Sequence, residues 1–321
     1  MFRYLLGRLI QAFVVLLVVA LVTFGLIQLA PGGPEILMDP DLSEADRDLM
    51  IQSLGLDRPV WEQFLKWMGA LMRGDLGTSF TDGRPVVKLI WERLPATLLL
   101  SAVGLAISIL VAIPLGVVSA LRPYTWTDHV ATLFSFFGIS IPGFWFGIIL
   151  ILIFSIKLGL LPSAGMYTPG LPPTWSDLAS HLVMPAFVLA TAYMAQLMRY
   201  TRASMFNAMR QDYVRTARAK GLVEAIVIYK HTLRNALIPV VTVIGLLLPR
   251  LVGGTVITET IFAWPGMGRL AVDAAFQRDY PVVMGVTLLF SVSVVAANLL
   301  IDLLYPLIDP RLRLDDDAST S

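Results

Sequence analysis

The sequence predicts an all-α polytopic membrane protein with six transmembrane helices and a small extracytoplasmic helical subdomain after the first of them. Three observations carry this expectation. Of 321 residues, 56% are hydrophobic and only 15% charged, against about 45–50% and 25% in an ordinary soluble domain. Six apolar runs approach the roughly 20 residues a helix needs to cross a bilayer core. The segments joining them divide their charge unevenly, net −4 over Pro31–Arg93 and +6 over Arg199–Arg234.

The first run, about Leu9 to Ala30, follows Arg3 and Arg8. It is too long for a signal-peptide core, and Pro-Gly-Gly-Pro follows it where a small-x-small cleavage site would stand, so it reads as a retained helix. Residues 31–94 form the expected subdomain. Ser43 caps a helix with Glu44 and Asp46 in its first turn, and Trp61–Met72 repeats apolar residues at three and four spacing. LGLDRP, GDLG and DGRP mark its turns. The remaining runs lie near Thr97–Leu121, Val130–Ile156, His181–Met198, Leu237–Ile257 and Val282–Leu304, giving a five-span region 95–306 and a tail 307–321 that carries the acids Asp315–Asp317.

Basic residues in short loops favour the cytoplasmic side. Pro31–Arg93 has eleven acidic and seven basic residues, whereas Arg199–Arg234 has eight basic and two acidic. The second loop and both termini are therefore expected in the cytoplasm. Thr255–Pro281, with three acids and two basic residues, falls outside with the subdomain.

Several function classes recede. Net charge is +1, so no overall basic excess points to nucleic acid. There are no cysteines, and His129, His181 and His231 lack ligand spacing, so no metal site and no cofactor are expected in this chain. No catalytic constellation is visible. The P-loop pattern G-x-x-x-x-G-K-[ST] is missing, and there is no Gly-Lys dipeptide. If ATP drives transport, a different chain binds it. An ion-driven carrier is expected to keep ionisable residues within its spans. The candidates are Arg250, Glu259 and Asp302, the last two near span ends where charges reach the interface. Arg250, in LLLPRLVGG, is expected to face protein or a water-filled path and not lipid: as a salt-bridge partner of Glu259, as a charge reaching the outer interface, or as a residue lining the path.

The densest positive cluster lies in Tyr213–Pro239, YVRTARAKGLVEAIVIYKHTLRNALIP. Asp212–Lys220 reads as a basic helix, Gly221 as a break and Leu222–Tyr229 as a short apolar helix holding one acid, Glu224. Attraction to anionic headgroups accounts for the charge. It does not account for exposed apolar residues, which need a partner's groove.

Eleven segments resemble, in order, the dipeptide/oligopeptide/nickel permease family of type I ABC importers, in its B-type subunit. They include RLPATLLLS, GISIPGFWFG, RYTRASM, DYVRTARAKGL, LRNALIPVV, GGTVITETIFAWPGMGRLAVDA and LLIDLLYPLIDPRLR. The resemblance implies the type I permease fold, a second (C-type) permease forming the path with this one, two cytoplasmic ATPases using ATP and magnesium, and an extracytoplasmic substrate-binding protein. The location implied is the cytoplasmic (inner) membrane of a bacterium or archaeon. It makes Leu222–Tyr229 the coupling helix seated in an ATPase groove. Ala217 and Gly221 fall on the signature's second Ala and its Gly, and Glu224 on the acid that follows; Leu222, Ile226 and Tyr229 of the same short helix are the further candidates for ATPase coupling. Val223 stands where Ser is usual and removes a side-chain cap. Ala225 and Ile226 replace basic residues, and Pro249 and Arg250 replace small ones.

Outside, Ile261–Leu270 (IFAWPGMGRL) places Trp264, Pro265 and Gly266 in an expected exposed turn that either touches the binding protein, caps the path or only joins two spans. Arg250 and Glu259 are the candidates for the path. Peptide is the expected substrate; nickel chelate, glutathione and oligosaccharide stay open within the family. A secondary carrier or a non-transporting scaffold would also fit six spans with a basic loop.

Overall fold

The computed structural model describes residues 2–29, 33–38, 41–247, 249 and 253–308. Among them the structure is helical, with one isolated pairing of Thr78 and Pro85 as its extended element. The helices are α1 (Phe2–Leu29), α2 (Glu44–Leu54), α3 (Val60–Leu71), α4 (Val86–Leu121), α5 (Trp126–Ser140), α6 (Gly143–Leu150), α7 (Trp175–Ala208), α8 (Asp212–Ala219), α9 (Glu224–Ile226), α10 (Arg234–Leu247), α11 (Val256–Ile261), α12 (Met267–Gln277) and α13 (Tyr280–Ile308). Wider π turns continue α6 over Ile151–Lys157 and join α9 to α10 over Val227–Leu233.

Among the described residues four helices, α1, α4, α7 and α13, are long and apolar enough to cross a membrane. The expected single span Val130–Ile156 is instead α5 followed by α6 and its π extension, bent by 104°. The break falls at Ile141-Pro142. Proline has no N–H to donate and disfavours the helical region for the residue before it, and Ile141 is extended, φ −87° and ψ 124°. Counted as one broken crossing, the pair makes a fifth. The expected run Leu237–Ile257 is helical as α10 to Leu247 and again as α11; residues 248 and 250–252 lie outside the described residues.

The described residues fall into two compact units, one from Met1–Thr97 with Pro265–Val295, the other from Leu98–Trp264 with Ala296–Ser321. In the first, α2 begins as the sequence indicates, the Asp46 N–H donating to Ser43 Oγ at 3.2 Å. Val86, Leu89 and Ile90 of α4 pack with Met267 and Ala274 of α12 and Val282 and Val286 of α13. A buried carboxylate, Asp279, accepts from Ser79 Oγ (2.5 Å), Phe80 N (3.2 Å) and Thr81 N (3.3 Å), tying the Thr78–Pro85 loop to the start of α13.

In the second unit α7 packs on α5, α6 and α10. Within its most apolar stretch 67% of α7 is buried, against 6% for α1. That difference explains why α7 is the least apolar of the four long spans: a helix shielded by neighbours can carry Thr191, Thr201 and Arg202. It crosses α4 closely at Gly116, where an added Cβ would sit 2.7 Å from Thr201 Cβ and 2.9 Å from the Met198 carbonyl oxygen.

Candidate functional site

The apolar pattern suggests that α7 ends at Met198 and that Arg199 begins a loop, yet the helix runs ten residues further, to Ala208. Arg202 therefore sits on a helix. Its guanidinium grips Asp128 at two points, Nε to Oδ1 at 2.7 Å and Nη2 to Oδ2 at 2.9 Å. Asp128 is buried and also accepts from Ser119 Oγ (2.5 Å) and Tyr124 N (2.9 Å). These bonds join the end of α4, the start of α5 and the end of α7. Sequence reasoning counted Arg202 only as a topology-setting charge and missed Asp128. An acid in the short turn TWTDHV and an arginine at the matching end of another span were the available signal.

After Gln211, α8 runs to Ala219 and stops in a Schellman turn. The Leu222 N–H donates to the Ala217 carbonyl (3.4 Å) and the Gly221 N–H to the Arg218 carbonyl (2.9 Å), with Gly221 left-handed at φ +74°. No heavy atom would lie within 4 Å of a Cβ there, so glycine is required for its backbone angle, not for space. Val223 then starts α9 without a side-chain cap. Arg218 takes over the ordering role, donating from Nη2 to Glu224 Oε1 (2.7 Å) and from Nε to Glu224 Oε2 (3.2 Å). Arg218's hydrogen bonds hold the Glu224 carboxyl below its usual range, and the same bond raises Arg218. Arg218 was not among the expected site residues, because a spacing of six meets only across a turn whose geometry the sequence does not state.

The expected discrete helix Leu222–Tyr229 is not separate. From Glu224 the chain stays helical through α9, the π turns and α10, with Thr232 Oγ1 donating to the Val227 carbonyl five residues back at 2.9 Å. Val214, Ala217 and Val227 form a small buried cluster that fixes α8 against this long helix. Ala217 is thus packed inside, whereas Gly221, Leu222, Glu224, Ile226 and Tyr229 are all exposed together. Val223 and Tyr229 are 67% and 65% exposed, large apolar surface beside the small Val214–Ala217–Val227 cluster.

The other expected sites fare differently. Arg250 lies outside the described residues. Glu259 is fully buried and accepts from Thr255 Oγ1 at 2.8 Å, so it does not reach out to an interface. The expectation of an exposed Trp264 is overturned, since its side chain is 0% exposed. Ala263 takes φ +46°, and the Trp264 N–H donates to the Glu259 carbonyl at 2.8 Å, so the chain turns the indole inward. Pro265 is half-buried and Gly266 buried at the start of α12.

Comparison with known proteins accords with this architecture. Residues 112–314 match the family described as binding-protein-dependent transport system inner membrane component. Residues 1–101 match its N-terminal counterpart. The oligopeptide transport system permease protein AppB of Bacillus subtilis (strain 168) is 48% identical over 314 residues, covering 97% of this chain and 99% of that protein. The dipeptide transport system permease protein DppB of Alkalihalophilus pseudofirmus is 39% identical over 334 residues, covering 98% and 100%. Among solved structures, an inward-facing MetNI methionine ABC transporter aligns with TM-score 0.53 at 17% identity over 69% of this chain and 96% of that one. An amino acid ABC transporter aligns with TM-score 0.51 at 16% identity over 68% and 92%. The last two likenesses are of fold. The chain belongs to the binding-protein-dependent transport system inner membrane components, the multi-pass permeases of type I ABC importers.

Proposed function

We propose that this chain is the B-type permease of an ATP-driven importer of dipeptides or oligopeptides. It forms the path with a C-type permease and takes its energy from two ATPase subunits that bind ATP and magnesium. An extracytoplasmic binding protein delivers the substrate, and the basic loop and both termini face the cytoplasm of a bacterial or archaeal cell. Relatives named for oligopeptide and dipeptide transport support the substrate class. The observation that carries the coupling role is the exposed apolar group Leu222, Val223, Ile226 and Tyr229 on a turn pinned by the Val214–Ala217–Val227 cluster and the Arg218–Glu224 ion pair. Exposed apolar side chains on a rigid support fit a partner's groove.

Two-state coupling needs an element biased from both ends. ATPase closure pushes on α9, and the unbroken helix from Glu224 to Leu247 carries the displacement into the membrane. Gly221 sets the angle between α8 and that lever. The substrate assignment is tested by identifying what copurifies with the cognate binding protein. A mixture of short peptides is expected; a nickel chelate, glutathione or an oligosaccharide would replace the assignment. Transport by this chain alone under an ion gradient would overturn the ATP-driven reading.

A further inference from the structure

A cavity of about 630 Å³ lies wholly within the first unit and has no role in the transport scheme above. Its walls come from the last turns of α1, the α2–α3 subdomain, the Gly77–Phe80 loop and the first turn of α13. Both α1 and α13 are candidate spans, and they meet the cavity at their membrane-surface ends, so it opens at the level of lipid headgroups.

The lining is layered. Phe24 and Trp67 line the cavity, and Phe64, edge-on to Phe24 at 5.2 Å and 6.2 Å from Trp67, packs between them from α3. Above these rings stand Arg58 and Lys66, which line the cavity and have no carboxylate partner among the described residues. Within a subdomain of net charge −4, two unpaired cations at one opening are a local reversal of sign. Gln63 holds their support in place. It donates to the Arg58 carbonyl at 2.9 Å and accepts from Gln28 Nε2 of α1 at 3.0 Å. Trp67 contributes its ring to the lining, while its Nε1 is buried away from the cavity. Below the opening, α1 presents Phe13, Leu17 and Leu21 outward along its length.

We infer that this cavity binds the headgroup and glycerol region of one anionic phospholipid, its acyl chains lying along the exposed face of α1. Arg58 and Lys66 supply the charge that recognises a phosphodiester, and the Phe24 and Trp67 rings supply the apolar wall for the glycerol and first acyl carbons. Amphipathic layering of this kind, cationic at the rim and aromatic beneath, matches a lipid and not a fully polar solute. Bound there, the lipid clamps α1 to the subdomain.

The test is native mass spectrometry of the full-length chain purified with its own transport-system subunits, titrated with phosphatidylglycerol or with phosphatidylcholine of the same acyl length. One phosphatidylglycerol is expected to be held at least about fivefold more tightly than phosphatidylcholine. Arg58→Gln with Lys66→Gln should bring the two lipids to within about twofold. Arg58→Lys with Lys66→Arg should keep the preference, and Trp67→Ala, which removes the ring from the wall, should weaken retention of both lipids. Arg122→Gln with Arg210→Gln, outside the lining, should leave the preference intact. Equal phosphatidylglycerol retention by the parent and the Arg58/Lys66 Gln variant would overturn the inference, as would a parent with no preference or loss of preference in the Arg122/Arg210 control.

Discussion

Arg218 and Glu224, on either side of the left-handed Gly221, meet in a two-point ion pair with distances of 2.7 and 3.2 Å. The pair does what the missing cap at Val223 cannot: it fixes the first turn of the helix that follows. An acid at that position also complements the positive end of the helix.

Reversing one partner should therefore disorder the loop, and exchanging both should restore it. Glu224→Arg or Arg218→Glu alone should raise amide exchange across residues 221–229. The double exchange should return most of that protection, though not all, because Arg at 224 opposes the helix dipole. Because the Glu224 carboxyl is depressed in the fold, its contribution is present above the unfolded carboxylate range and is lost as pH falls through the folded value. Loop protection should thus be flat from about pH 8 to 5 and fall only below that, with Glu224→Gln removing the acid-induced change.

Gly221 is left-handed in open space, which separates two reasons for a glycine. Asn tolerates that backbone region, whereas Ala carries a cost of about 1–2 kcal/mol and a β-branched residue more. Protection of residues 221–229 should decline in the order Gly, Asn, Ala, Val. If Asn preserves loop order but abolishes coupled ATP hydrolysis, the partner's groove needs a bare backbone there.

Asp128 is buried under Arg202, Ser119 and Tyr124 N–H. Asp128→Asn leaves the arginine facing a neutral amide and should cost about 3 kcal/mol of stability, the low end for a buried pair because Arg202 is itself 37% exposed. Thermal unfolding of the detergent-solubilised protein reads this directly. Arg202→Lys, which loses the two-point geometry, should fall between parent and Asn variant.

At the crossing of α4 and α7, Gly116→Ala places a methyl 2.7 Å from Thr201 Cβ. A loss of about 1–3 kcal/mol is expected from overpacking. Thr201→Ala, which also removes its hydrogen bond to the Leu197 carbonyl, does not clear the Met198 carbonyl oxygen at 2.9 Å. The double variant should therefore recover only part of the loss.

The fold was legible wherever hydropathy or a local cap decides it. The apolar runs became α1, α4, α7 and α13, and Ser43 starts α2 as its spacing suggests. Direction was less legible: an apolar window is blind to the turn at Pro142, although Ile141-Pro142-Gly143 carried the chemistry of a break. Helix ends erred where tertiary shielding replaced apolarity, as at the last ten residues of α7. Burial of Glu259 and Trp264 depends on neighbours distant in sequence and on a positive φ at Ala263, neither of which periodicity reports. In the loop between α7 and α10, Gly221, Glu224 and the apolar exposed face were readable. The interior place of Ala217 and the grip of Arg218 were not, since both depend on how α8 folds back on Val227.

The central claim is that energy enters through the exposed apolar face of residues 222–229. The most direct measurement is substrate-stimulated ATP hydrolysis by the complete transporter, reconstituted with binding protein, carrying Ile226→Asp or Tyr229→Asp. Both side chains are exposed, so the variants should insert and fold normally, and stimulation should fall at least about tenfold. Normal stimulation in a correctly assembled Asp variant would contradict the account.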